Sequence, residues 1–285
     1  MFLPRLISSI VLWCFIAALI FSKWAAGSLI CIALCALLGQ WEFYRAQEQK
    51  GLKVYKRSGV FCGFLLYAVS WYFLIHNPSR LEMLPRFEAL LFILVIIGAL
   101  VRLVISGIPS VNPVISVALT LLGFFYVPYL FNYVSLIAFW PGSLNESRYV
   151  LLYLLAVTKF SDIGAYAVGM KFGKHKMIPR VSPGKTWEGF SGGILASLAV
   201  SVALIHVFSA RMPGFALKDA LVLGVLLPLA SVVGDLAESV VKRDAQIKDS
   251  GKAIPGIGGM LDLIDSILFT APVLYFYLYF TEING

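Results

Sequence analysis

Apolar residues run along this chain in nine long stretches, at approximately 6–22, 26–41, 59–76, 88–106, 114–139, 149–170, 189–209, 220–241 and 261–280. Several approach or exceed the roughly 18 residues that mark a membrane-crossing helix. The pattern predicts an all-α fold, a polytopic transmembrane helical bundle of about nine spans. Residues 1–140 form the N-terminal transmembrane helices on this reading. Residues 141–285 form a C-terminal transmembrane region, where the candidate chemistry gathers, and the two make one integral membrane unit.

Composition agrees. Of 285 residues, 60% are hydrophobic and 13% charged, with a mean hydropathy of +0.87. A soluble domain carries about 25% charged residues. No polar stretch is long enough for a separate soluble domain, so any chemistry belongs to the bundle or its short loops. The first run follows Arg5 and has the look of a signal peptide. No small-residue cleavage site follows and another apolar run begins almost at once, which predicts an uncleaved helix.

The net charge of +8 reads differently once a bilayer is assumed. It points to membrane topology and not to nucleic acid. Arg45, Lys50, Lys53, Lys56 and Arg57 occupy one loop, Lys171, Lys174, Lys176, Arg180 and Lys185 a second, and Lys242, Arg243, Lys248 and Lys252 a third. Nine spans put these loops and Arg5 on one face, 15 of the 23 Lys and Arg residues, against six on the other and Arg102 and Lys159 within spans. Eight or ten spans would divide the basic loops. The positive-inside bias therefore places the N-terminus in the cytoplasm.

Cys14, Cys31, Cys35 and Cys62 all lie in apolar runs and are read as buried packing residues. His76, His175 and His206 form no zinc pattern, and His76 and His206 mark helix ends. Trp41, Trp140 and Trp187 suit an interfacial belt. Gly189 and Gly193, with Gly192 between, predict close helix packing.

Carboxylates near lipid are costly and normally have partners or functions. Asp162 lies inside the sixth run, in KFSDIGAY (159–166). Asp235 and Glu238 lie near the end of the eighth, in GDLAESVVKR (234–243), and Asp262 and Asp265 open the ninth, in GGMLDLIDS (258–266). Each pair is spaced i, i+3 and shares a helix face. One loop joins their helices, so the hairpin can gather up to four carboxylates. Such a cluster repels itself unless a cation joins it, and Mg²⁺ suits oxygen ligands. The alternative is pairing of each acid with Lys159, Lys242, Arg243 or Lys248.

The loop between these helices, RDAQIKDSGKAIPGIGG (243–259), combines Lys248 and Asp249 with glycines that include Gly258 and Gly259. Glycine permits backbone N–H groups to approach phosphate closely, although a flexible turn explains the same composition. The loop PRVSPGKTWEG (179–189) carries Ser182, Lys185 and Thr186. Its GKT imitates the end of a P-loop, but Pro179 stands where the leading glycine belongs and no strand is expected before it. Lys185 and Arg180 are candidate phosphate contacts, with an anchor to anionic headgroups as the alternative.

These segments resemble the phosphatidate cytidylyltransferase family. The resemblance runs from about Asp162 to Ser266, strongest at SDIGAY (161–166), SPGKTWEG (182–189) and residues 239–265. Two departures stand out: Ile257 where the family has His, and Leu263 where it has Arg after the first aspartate. The resemblance implies Mg²⁺-dependent joining of CTP to phosphatidate, giving CDP-diacylglycerol and pyrophosphate. It implies Asp235, Asp262, Asp265 and Lys248 as catalytic residues, with Asp162 and Glu238 as further metal ligands. Substrate contacts would come from Ser182, Lys185, Thr186, Lys242, Arg243, Asp249, Gly258 and Gly259. K⁺ is a candidate second cation, a homodimer a candidate assembly, and the bacterial cytoplasmic membrane the expected location. The rival readings are a diverged member acting on another lipid phosphate and a cation-coupled transporter.

Overall fold

The computed structural model describes residues 13–22, 24–105, 113–140, 144–212, 214–251 and 258–281. A helical segment, α1 (13–21), opens it and covers the later part of the first predicted span, whose residues 6–12 lie outside the described residues. There follow α2 (Ala25–Gln49), α3 (Lys56–Trp71), α4 (Leu84–Ile105), α5 (Pro113–Phe124), α6 (Leu130–Ala138), α7 (Leu144–Phe172), α8 (Trp187–Val207), α9 (Leu217–Asp244) and α10 (Met260–Thr281). Single π turns, Tyr72–His76 and Phe125–Tyr129, extend α3 and join α5 to α6. Pro128 lies in the second, where its missing N–H breaks the regular ladder.

Eight of these continuous helical stretches are long and apolar enough to cross a membrane, and they coincide with the second to ninth predicted spans. Helices suit that setting because they satisfy every backbone polar group internally. Large apolar side chains face outward, among them Phe61, Val104, Ile105, Met170 and Phe280. On a soluble protein such a surface would be an aggregation site; on this one it faces lipid. The chain is an integral membrane protein.

One expectation needs amendment. The loop before α8 is a two-stranded antiparallel hairpin, β1 (Lys176–Ile178) with β2 (Ser182–Thr186), so extended backbone does accompany GKT. Yet Lys185 and Thr186 belong to the strand itself and not to a loop wrapped around phosphate, and the P-loop reading still fails. The cysteines are free but less buried than expected: Cys14 is exposed and Cys31, Cys35 and Cys62 are half-buried.

The described residues form two compact units. The first comprises those up to Ser135 together with those of Asp244–Ile264, and the second those of Leu136–Arg243 and from Asp265 onward. In the first unit, Tyr44 of α2 donates to the Thr120 carbonyl of α5 at 2.6 Å, while Gln40 donates to the Gly59 carbonyl of α3 at 3.0 Å. A buried polar chain ties α3, α6 and α4: Ser70 donates to Asn132 at 3.1 Å, and Asn132 to Glu88 at 3.0 Å. Hydrogen bonds of this kind replace the weak apolar drive for association within lipid.

In the second unit, α7 and α8 meet along small residues. A Cβ built on Gly189 would stand 2.8 Å from the Ala165 carbonyl oxygen, and one on Gly193 would stand 3.0 Å from that of Ser161. The GxxxG expectation holds, because only hydrogen fits between these backbones. Tyr153 donates to Ser201 at 2.6 Å and Ser201 to the Ala220 carbonyl at 2.7 Å, joining α7, α8 and α9.

Candidate active site

In the second unit, three acidic side chains converge from three helices. Asp162 (α7) accepts from the Ser231 hydroxyl of α9 at 2.9 Å and lies 3.6 Å from Lys159 Nζ. Lys159 also donates to Ser266 of α10 at 3.2 Å. Asp235 (α9) accepts from Lys185 of β2 at 3.0 Å, and that ammonium reaches the Val232 carbonyl at 3.4 Å. Asp265 (α10) accepts from the Ser266 N–H at 2.6 Å and lies within electrostatic reach of Asp235, Lys159 and Asp162. Asp162 feels Asp235 and Lys185 as well as Lys159.

The backbone explains how Asp235 and Asp265 come together. At Gly234, a Cβ would stand 2.5 Å from the Asp265 carbonyl oxygen and 3.2 Å from Ser266 Cα. Absence of a side chain there lets α9 lie against α10 one residue from Asp235. Three carboxylates against two ammonium groups leave one formal negative charge in a partly dry setting, which a cation would offset.

The donor set fits Mg²⁺ in kind, since carboxylate oxygens are its preferred protein ligands. Among the described residues, no three or more His, Cys, Asp or Glu are arranged to hold a metal ion between them. The gathering of four carboxylates around one cation, expected from the hairpin, is therefore not seen among the described residues.

Other predicted site residues have defined structural partners. Glu238 is buried and paired with Lys242 at i+4, the ion-pair alternative raised by its spacing. Thr186 caps α8, its hydroxyl accepting from the Gly189 N–H at 3.1 Å. Ser182 pairs with Ile178 across the hairpin. Glu188 accepts from the Lys174 N–H at 3.1 Å and from His175, closing the hairpin's base. Arg243, at the end of α9, reaches the Val181 carbonyl at 3.4 Å.

In the first unit, the loop leading to α10 is held by two acids. Asp262 accepts from the Ser250 N–H at 3.1 Å and the Gly259 N–H at 2.6 Å. Glu42 of α2, only 9% exposed, accepts from the Leu261 N–H at 2.9 Å and the Ser250 hydroxyl at 3.2 Å. Gly258 has φ +132°, which L side chains rarely adopt. Asp262 and Asp265 thus have different partners although they share a helix face. Lys248 and Asp249 are exposed, while Lys252 and Ile257 lie outside the described residues. Sequence reasoning missed Glu42. Its signal was an acid at the edge of an apolar run, on the side assigned to the basic loops.

Comparison with known proteins adds the following. Residues 3–281 match the model of the cytidylyltransferase family. A phosphatidate cytidylyltransferase from Synechocystis is 31% identical over 269 residues, 86% of this chain and 86% of that protein. One from Mycobacterium bovis is 42% identical over 127 residues, and the uncharacterized protein YnbB of Escherichia coli is 40% identical over 129. Those two matches span only 40% and 42% of the relatives' own lengths.

Proposed function

Since the chain belongs to the cytidylyltransferase family, we propose that it is a phosphatidate cytidylyltransferase, which joins CTP to phosphatidate and releases pyrophosphate. The observation that carries the reading is the meeting of Asp162, Asp235 and Asp265 with Lys159 and Lys185 in a membrane-embedded helical unit. Support also comes from the name carried by the Synechocystis relative, matched over most of both chains.

In this proposal, a phosphate oxygen of phosphatidate attacks the α-phosphorus of CTP. The bond from that phosphorus to the bridging oxygen breaks, and pyrophosphate departs. The nucleophile is already ionised, so positioning and charge neutralisation do most of the work. Bound Mg²⁺ would offset the charge that develops on the phosphates. Asp235 and Asp265 are its proposed protein ligands, with Asp162 held beside them by Ser231 and Lys159. Lys185 exchanges its carboxylate partner for phosphate when nucleotide arrives, and Lys242 and Arg243 are further phosphate contacts. Asp262 holds the start of α10 in place by accepting from the Ser250 and Gly259 N–H groups. The protein would work in a bacterial cytoplasmic membrane, with lipid entering from the bilayer and CTP from the cytosol.

The test supplies radiolabelled CTP, phosphatidate and Mg²⁺ to detergent-solubilised protein. Lipid-linked label that disappears in Asp235→Asn supports the proposal. Label that appears only with another lipid phosphate would shift the acceptor, and no lipid-linked label with any acceptor would overturn the reading.

A further inference from the structure

The first unit carries a cavity of about 570 Å³ that the proposed chemistry does not use. Its lining comes from α3, α4 and α5 with the Tyr55 segment, and is apolar apart from Arg102, Ser58, Tyr55 and Thr120. Gly98 forms an open stretch of the wall, since a Cβ built there meets nothing within 4 Å. Phe61 and Leu94, 60% and 55% exposed, face outward beside it. The cavity is therefore a groove open on the lipid side.

Arg102 stands at one end of this groove, near the C-terminus of α4. Its guanidinium is exposed, donates to the Ser58 hydroxyl and lies 4.6 Å over the Tyr55 ring. The neighbouring Val104 and Ile105 are each 80% exposed, so this cation sits in an apolar surface. An arginine near a helix end holds its guanidinium at the membrane surface, where it can meet an anionic headgroup. Lys53 and Arg57, both exposed, lie in the same segment as Tyr55 and Ser58 and extend the positive end. Apolar walls facing acyl chains and a cationic end match one ligand shape, that of an anionic amphiphile.

We propose that this groove holds an anionic diacyl phospholipid, its phosphate at Arg102 and one acyl chain along the wall opened by Gly98. The site lies wholly within the first unit and does not rest on the proposed enzymatic function.

The experiment places full-length protein in bilayer discs of phosphatidylcholine with a minor fraction of phosphatidylglycerol, a lipid outside the proposed reaction. Mass spectrometry then reads the lipid retained after detergent washing. Wild type should retain phosphatidylglycerol selectively. Arg102→Gln should lower that retention about fivefold, the worth of one cation near a membrane surface. Gly98→Leu should lower it similarly by filling the groove, and it replaces a helix-interior glycine with a better helix former, so folding is not at risk. Unchanged retention in either variant would overturn the proposal. Equal retention of phosphatidylcholine, or displacement by inorganic phosphate as effective as by short-chain phosphatidylglycerol, would overturn it too.

Discussion

Lys185 of the hairpin donates to Asp235 of α9 across 3.0 Å, and both side chains are about three-quarters buried. The pair joins two segments that lie 50 residues apart. Removing one partner strands the other's charge where water screens it poorly. Lys185→Met should cost about 1–3 kcal/mol of stability, between the values for surface and buried pairs. It should also raise the KM for CTP. Thermal unfolding in detergent and steady-state kinetics read the two effects; a variant with unchanged KM would remove Lys185 from phosphate binding.

Gly234 permits the close approach of α9 to α10. Alanine normally gains up to about 1 kcal/mol over glycine in a helix. Here its Cβ would meet the Asp265 carbonyl oxygen at 2.5 Å, so the helices must separate. Gly234→Ala should therefore destabilise the protein, by about 1–3 kcal/mol. It should depress kcat more than Gly98→Ala, whose added methyl meets open space. A rise in melting temperature for Gly234→Ala would show the contact to be looser than described.

Glu42 can be probed through its hydrogen bonds. Glu42→Ala leaves the Leu261 N–H and the Ser250 hydroxyl without their acceptor, at about 1–3 kcal/mol. Glu42→Gln keeps an acceptor oxygen and should lose less. Hydrogen exchange at the Gly251, Gly259 and Leu261 amides should accelerate in the alanine variant and much less in the glutamine one. Equal exchange in both would mean that the clamp does not order this loop.

Chelation offers a separate check on the carboxylates. Removing divalent ions should abolish nucleotidyl transfer while leaving the circular dichroism of the helices intact, and added Mg²⁺ should restore it. Asp265→Asn should demand a higher Mg²⁺ concentration for half-maximal rate, whereas Glu238→Gln, already committed to Lys242, should shift it less. A reversed order would exchange the roles of these two acids.

The spans were legible because lipid imposes a length and an apolar content that few other constraints imitate. Asp162 and Asp235 were legible for the same reason: a charge inside such a run stands out. Ser231 and Ser266 were not, since hydroxyls are common in membrane helices and only the folded positions show them bonded to Asp162 and Lys159. The i, i+3 rule put Asp262 and Asp265 on one face but could not show that one serves a loop and the other an acidic cluster. The hairpin escaped because its few residues carry turn-forming proline and glycine, and its geometry rests on Glu188 reaching back to residues 174 and 175.

The clamp on the loop before α10 has a practical consequence. Its buried acceptor is contributed by a helix more than two hundred positions earlier in the chain. The acid-bearing C-terminal half is therefore not a portable module. Expressed alone, or grafted behind foreign leading helices, it would arrive without the carboxylate that closes its own glycine turn.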